Sequence, residues 1–197
     1  MLLSGKNSLA VQSSMFENIY HLKESIVPGD FCNQIIKDGE LSTIKKAKIA
    51  DGNDANRSSN ISWINDKELQ TTLSYLVKSA NDESNWNFSL KEFEELQYTL
   101  YNVGDHYDWH HDCHNKPYEN KTIRKLSFTL CLNDEYEGGN FSIWDAHPKT
   151  EKSNIKKIKL KKGEMLVFPS HLWHKVDKVT KGTRKVLVGW VVGNQWK

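Results

Sequence analysis

Apolar positions in the first half of the chain recur at helical spacing, and in the second half they come in short extended runs. The spacing predicts a helix over 28–40: Pro28 and Asp30 suit its start, Phe31, Ile35 and Ile36 form one apolar stripe, and Gly39 suits its end. Asp66 is a natural N-cap for a second helix, with Leu69, Leu73, Leu76 and Val77 at three- and four-residue steps and an end near Ala80–Asn81. The first twenty-odd residues read as an irregular or strand-like lead-in, and 51–60 reads as a loop by composition. After about residue 94, β-branched and aromatic runs are separated by Gly, Asn, Asp and Pro. They predict strands at 95–103, 107–112, 124–132, 140–144, 154–160, 164–168, 173–179 and 184–192. Eight short strands with no helix between them predict an α+β, mainly β fold: a jelly-roll core over about 95–192, with helical support from about 25–94 packed on one sheet, in a single domain spanning 1–197.

Composition narrows the classes. A chain of 197 residues with net charge +2 lacks the global field of a nucleic-acid binder. No apolar run reaches the ~18 residues of a membrane span. The opening MLLSGKNSLA lacks the apolar stretch of ~7–15 residues of a signal peptide. Three cysteines, Cys32, Cys113 and Cys131, do not make a disulfide scaffold and point to a reducing cytoplasm, bacterial or that of a viral host. The Lys-rich run 156–162 alternates with Ile158 and Leu160, as in a strand with a solvated face that discourages edge pairing. The basic residues are 24 lysines and only three arginines, Arg57, Arg124 and Arg184. Arginine kept amid so much lysine suggests positions that need a planar two-pronged cation.

The richest segment for chemistry is YNVGDHYDWHHDCHN, 101–115. Residues two apart on a strand share a face, so His110 and Asp112 can hold one ion while His111 points away. A third ligand is available from His171 or His174 in FPSHLWHKV, 168–176. Two His and one carboxylate on one face of an octahedron leave three positions open, as in non-haem Fe(II) oxygenases. A zinc site of Cys113, His111 and His114 is the competing set, but it lacks the usual ligand spacing. Ten residues after His174 stands Arg184, and Val186, Val188 and Trp190 share its strand face. One cation between small apolar walls and an aromatic suits an acid held by its far carboxylate while its other end chelates a metal.

These residues carry a resemblance. HxD, a distal His and Arg ten residues later, with RKLSFTLCLND, YEGGNFSIW and KKGEMLVFPSHLWHKVDKVTKGTRKVLVGW around them, resemble the iron- and 2-oxoglutarate-dependent dioxygenases over roughly 57–192. The prolyl 4-hydroxylase-like branch, including PKHD-type hydroxylases, is the nearer likeness. The resemblance implies a double-stranded β-helix core, Fe(II), 2-oxoglutarate and O₂ as co-substrates, ascorbate as a reductant, and hydroxylation of a prolyl residue in a peptide or protein. It makes His110, Asp112 and His174 the ligands and Arg184 the partner of the co-substrate's far carboxylate. It places Tyr101, Thr129, Cys131 and Trp190 around the co-substrate, and Tyr107 and Trp109 on the substrate side. Cys131 replaces a tyrosine that binds the far carboxylate in one branch of the family. A carboxylate at Asp112 implies hydroxylation rather than halogenation. The same chemistry on a free amino acid or a nucleobase, and a non-catalytic metal-binding module, are the rival readings. Arg57 and Arg124 are given only structural roles, and 113–121 is read as a loop covering the site.

Overall fold

A computed structural model describes residues 18–47, 56–113, 116–144 and 155–195. In chain order the elements are β1 (His21–Lys23), α1 (Gly29–Leu41), β2 (Lys45–Lys46), β3 (Arg57–Ser58), β4 (Asn60–Ile64), α2 (Lys67–Glu83), β5 (Leu90–Phe93), β6 (Leu96–Tyr101), β7 (His106–His110), β8 (Thr122–Cys131), β9 (Tyr136–Gly138), β10 (Phe141–Trp144), β11 (Ile155–Ile158), β12 (Met165–Pro169), β13 (Trp173–Val176), β14 (Val179–Gly182) and β15 (Arg184–Asn194). The larger sheet has the order β1-β12-β8-β15-β6-β4-β2, with β5 also pairing β15. The smaller one runs β11-β10-β13-β7-β3, and β14 pairs β9 separately. Two facing sheets with non-consecutive neighbours are the jelly roll that the strand pattern predicts.

Strand alternation explains the two cores. On β8, Leu126, Phe128 and Leu130 turn outward and join Leu187 and Val191 of β15 in a cluster with Leu69, Leu73 and Val77 of α2 and Cys32 and Ile35 of α1. Burying these leucines and valines contributes ~1.5–3 kcal/mol per side chain, which holds both helices on the outer face. The opposite face of the same strands turns inward. There Cys131 and Val186 pack with Phe141, Ile143, Leu166, Phe168 and Val176 between the sheets.

The helices depart from the sequence reading in detail. Asp66 caps α2 through its carboxylate, accepting from the amides of Glu68 at 2.9 Å and Leu69 at 3.0 Å. The helix continues to Glu83, because Ser84 N–H still donates to Ala80 C=O. In α1 the buried stripe is Cys32, Ile35 and Gly39, and Phe31 is exposed. Gly39 lies within the helix rather than at its end. A methyl group there would stand 2.4 Å from Cγ of Tyr98, so this glycine lets α1 lie directly on a buried ring. Gly39→Ala should therefore cost the ~1–3 kcal/mol of an overpacked core, read as a lower Tm in a thermal melt. Helix propensity alone would give the opposite sign.

The strands depart more. The N-terminal half supplies β1 to β5, which extend the larger sheet and, through β3, the smaller one, so it is not helical support alone. Arg57–Ser58 and Asn60 are strand residues inside the expected 51–60 loop, of which 51–55 lie outside the described residues. The expected strand 173–179 breaks after Val176, and Val179 N–H turns to Asp105 C=O. Ile155–Ile158 does form an edge strand with Lys156 and Lys157 exposed. Among the described residues no helix is long and apolar enough to cross a membrane.

Candidate metal centre

β7 and β13 are antiparallel neighbours in the smaller sheet, and their register sets the site. His174 pairs His110, but Val176 pairs Tyr107: two steps on one strand match three on the other. That bulge brings Tyr107 and His110, three apart, onto one face, where their rings stack at 3.4 Å and 13°. The strand then stops at His110, two residues short of the expected end. Asp112 lies beyond it because Ser170 C=O accepts both Asp112 N–H, at 2.9 Å, and Cys113 N–H, at 3.0 Å. Ser170 in turn donates its amide to Lys125 C=O at 2.9 Å, so the turn is anchored to the larger sheet.

His110, Asp112 and His174 each offer a ligand atom, and these atoms lie within 4.8 Å of one another. Nε2 of His174 is 3.5 Å from one Asp112 carboxylate oxygen, and Nε2 of His110 is 3.8 Å from the other. Two ligands each ~2.1 Å from one ion stand at most ~4.2 Å apart, a limit both separations meet. The supporting bonds fit the same reading. His110 Nδ1 donates to Asp108 C=O at 2.7 Å and His174 Nδ1 to Leu172 C=O at 2.9 Å, which leaves both Nε2 lone pairs facing Asp112. Burial and His174 push the His110 pKa well below its ordinary value, and burial lowers that of His174, so both stay neutral donors. Burial alone would raise the Asp112 carboxyl; His174, His110, Arg124 and a hydrogen bond from Ser127 outweigh it and hold the carboxylate form. Ser127 Oγ donates to Asp112 Oδ2 at 2.7 Å and lies 2.9 Å from Ser170 Oγ. Ser127→Ala should weaken Mn(II) binding ~10-fold in a titration, the usual cost of losing an outer partner of a ligand. An unchanged Kd would show that the Ser170 tie orients Asp112 unaided.

A cavity of about 740 Å³ opens beside this group. Arg184, Val186, Val188 and Trp190 all line it, as their shared strand face predicts. Arg184 is 1% exposed and sits with its guanidinium carbon 5.4 Å from the Tyr101 ring. Tyr101, Thr129, Tyr107 and Trp109 also line the cavity. Cys131 lies behind its wall: the thiol donates toward Asn133 C=O at 3.3 Å and stands 3.5 Å from the Tyr136 hydroxyl. His171 is exposed and apart from the group that could hold an ion. Of the zinc set, His114 lies outside the described residues, as does 115 in the expected covering loop.

The structure also brings in residues that the sequence left with structural roles. Arg124 lies on the cavity wall with its carbon 3.9 Å above the Trp190 ring, and its fork meets both oxygens of Glu94 at 2.9 and 2.5 Å. Arg57 stands 4.6 Å over the Tyr107 ring and donates to Gln97 Oε1 at 2.8 Å. The scarcity of arginine was the available signal, because all three arginines line this one cavity. Trp63, Gln97 and Trp173 also line it without any such signal, and His111, expected to point away from the ligand pair, lines it too.

A jelly roll that holds a His–Asp–His group beside a deep arginine defines a metal-dependent oxygenase of the facial-triad class. The comparisons agree. The family model of the 2OG-Fe(II) oxygenase superfamily matches residues 96–192. A PKHD-type hydroxylase of Prochlorococcus marinus is 32% identical over 179 residues, covering 87% of this chain and 77% of its own. A shorter match, to a PKHD-type hydroxylase of Synechococcus, is 33% identical and covers 63% of this chain and 54% of that one. The chain belongs to the 2-oxoglutarate and Fe(II) oxygenase superfamily, and is an oxidoreductase, a hydroxylase of the PKHD type. Among solved structures, a Pseudomonas putida prolyl-4-hydroxylase superposes with TM-score 0.67 at 20% identity, covering 90% of this chain and 94% of that one. A viral collagen prolyl hydroxylase from Paramecium Bursaria Chlorella virus-1, solved with 2OG, gives 0.67 at 18%, covering 89% and 97%. At those identities the likeness is one of fold.

Proposed function

We propose that this hydroxylase acts on a prolyl residue in a peptide or protein and couples that reaction to decarboxylation of 2-oxoglutarate to succinate. The observation that carries the reading is the cavity wall nearest the His–Asp–His group. Trp109 and Trp190 line it as aromatic walls, with the Arg124 guanidinium over one face of Trp190. Planar walls of that kind suit a small saturated ring, and a cavity of about 740 Å³ has room for a dicarboxylic acid and a substrate residue together.

In this reading His110, Asp112 and His174 hold Fe(II), and their donor set of two neutral imidazoles and one carboxylate fits that ion. Arg184 holds the far carboxylate of 2-oxoglutarate, with Tyr101, Thr129 and Val186 as the surrounding wall. Iron held by these three residues would supply the activation of O₂, with one oxygen atom going to the substrate C–H and the other to succinate as CO₂ leaves. The chain's own residues orient both organic molecules and keep water away from them. Ascorbate enters only as an external reductant that keeps the metal ferrous. A Trichoplax adhaerens prolyl hydroxylase with a related fold was solved with a hypoxia inducible factor peptide fragment, which supports a peptide over a free amino acid.

The test is the full chain with Fe(II), 2-oxoglutarate, ascorbate and synthetic peptides carrying one proline. The expected result is a gain of one oxygen atom on the proline, with succinate formed in equal amount. Oxygen incorporated into free proline or a nucleobase, with every peptide unmodified, would reverse the substrate assignment.

A further inference from the structure

The cavity does not end at the metal ligands. One edge of it is walled by Arg57 of β3, Trp63 of β4 and Gln97 of β6. From that edge a row of stacked groups leads across the site. Arg57 lies over Tyr107 at 4.6 Å, Tyr107 on His110 at 3.4 Å, and His110 beside His174 at 4.1 Å. The lining also includes Trp109, His111, Cys113 and Trp173. Trp109 and His111 flank His110 in the chain, His111 also precedes Asp112 and Trp173 precedes His174, so this second arm begins one residue from each of the three ligands.

The second arm is aromatic and backed by buried structure. His111 and Trp173 meet edge to face at 5.2 Å and 84°. Trp109 leans on Trp144 at 5.5 Å, and Trp144 is 1% exposed, so the ring has a fixed support. Lys175 sits 5.4 Å above Trp109, and its charge is met by Asp177 at 2.9 Å. Nδ1 of His111 is buried with no hydrogen-bond partner among the described residues. Aromatic faces of this kind match a bulky apolar or aromatic side chain.

We propose that Trp109, His111 and Trp173 form a second substrate subsite, which takes a bulky apolar or aromatic side chain next to the residue being hydroxylated. This rests on the peptide reading above, and it gives that peptide a direction: one flank toward Arg57 and Trp63, the other into the tryptophan arm. Selectivity then comes from a neighbour of the reacting residue as well as from the residue itself.

The experiment uses the full chain with Fe(II), 2-oxoglutarate and peptides of one central proline, each flanking position set in turn to Trp, Leu, Gly or Glu. At one flank, kcat/KM should favour Trp or Leu over Gly by about tenfold or more, as burial of such a side chain implies. Trp173→Ala should shrink that ratio to under ~3-fold, and Trp173→Phe should keep most of it, because a ring still faces His111. A ratio of one substrate to another is insensitive to the fraction of folded enzyme, and the wild-type preference is itself a test that needs no variant. Peptides hydroxylated with no flank preference, or with a preference that survives Trp173→Ala, would overturn the subsite while leaving the prolyl reading intact. If no peptide is hydroxylated at any flank, both fall.

Discussion

Replacing His174 with alanine removes the conversion of 2-oxoglutarate to succinate, and with it the binding of Mn(II) in the absence of substrate. His174 is 4% exposed, and its Nε2 stands 3.5 Å from Asp112 while its Nδ1 is committed to Leu172 C=O. Among the described residues, no other group of three ligand atoms this close includes His110 and Asp112. His171 is three positions away and exposed, so it cannot substitute without moving β13. Loss of an outer partner costs ~10–100-fold in metal affinity, and loss of a ligand should exceed the upper end of that range. Succinate formation measured without any substrate, alongside a Mn(II) titration, reads both consequences. Undiminished succinate formation would remove His174 from the ligand set. The fold should survive: the space left by the ring is bordered by Phe141 and Phe168, which pack together at 5.3 Å. A circular dichroism melt close to wild type separates lost chemistry from lost structure.

The legibility of this site from sequence followed its periodicity. Arg184, Val186, Val188 and Trp190 obey strict alternation, so their shared face could be read directly and all four line the cavity. The distal ligand was less legible: local spacing left His171 and His174 equivalent, and only the family pattern separated them. His110 and Asp112 were readable as a pair for the wrong reason. They do not sit on one straight strand. A bulge in β7 and the Ser170 carbonyl aim them together, and neither leaves a mark in local composition. The same limit hid the short strands β2 to β5. Two- to five-residue segments such as Arg57–Ser58 are extended because partners elsewhere in the chain pair with them, here Tyr107 and His106. Arg57 and Arg124 reach the cavity through those long-range pairings. Their scarcity marked them out, but only the register of β3 on β7 and of β8 on β15 shows where they point. Cys131 is the converse. It alternates with Thr129 onto the inward face, yet Tyr136 and the Leu160 carbonyl close over its thiol and keep it behind the wall.

Arg184→Lys should raise the KM for 2-oxoglutarate by ~10–100-fold while leaving a measurable kcat. The charge is kept, so the difference isolates the geometry of the fork. Hydrogen bonds to charged groups contribute ~1.5–3 kcal/mol each, and an ammonium can replace at most one arm of a two-pronged contact. The site is built for the longer, flatter group. Arg184 opens β15 opposite Tyr101 of β6, is 1% exposed, and passes so close to Gly139 that a methyl group there would lie 2.8 Å from its Cδ. A lysine in the same path ends in a single point charge, and the Nε of Arg184 is buried with no partner among the described residues. The dicarboxylate would supply what the wall does not. The variant therefore loses affinity for 2-oxoglutarate specifically, and a high concentration of it should recover much of the rate. An unchanged KM would mean that the far carboxylate is held elsewhere. The shape of the defect is as informative as its size: a fall in kcat with KM unaltered would place Arg184 beside the reacting atoms, and a rise in KM alone places it at the far end of the acid.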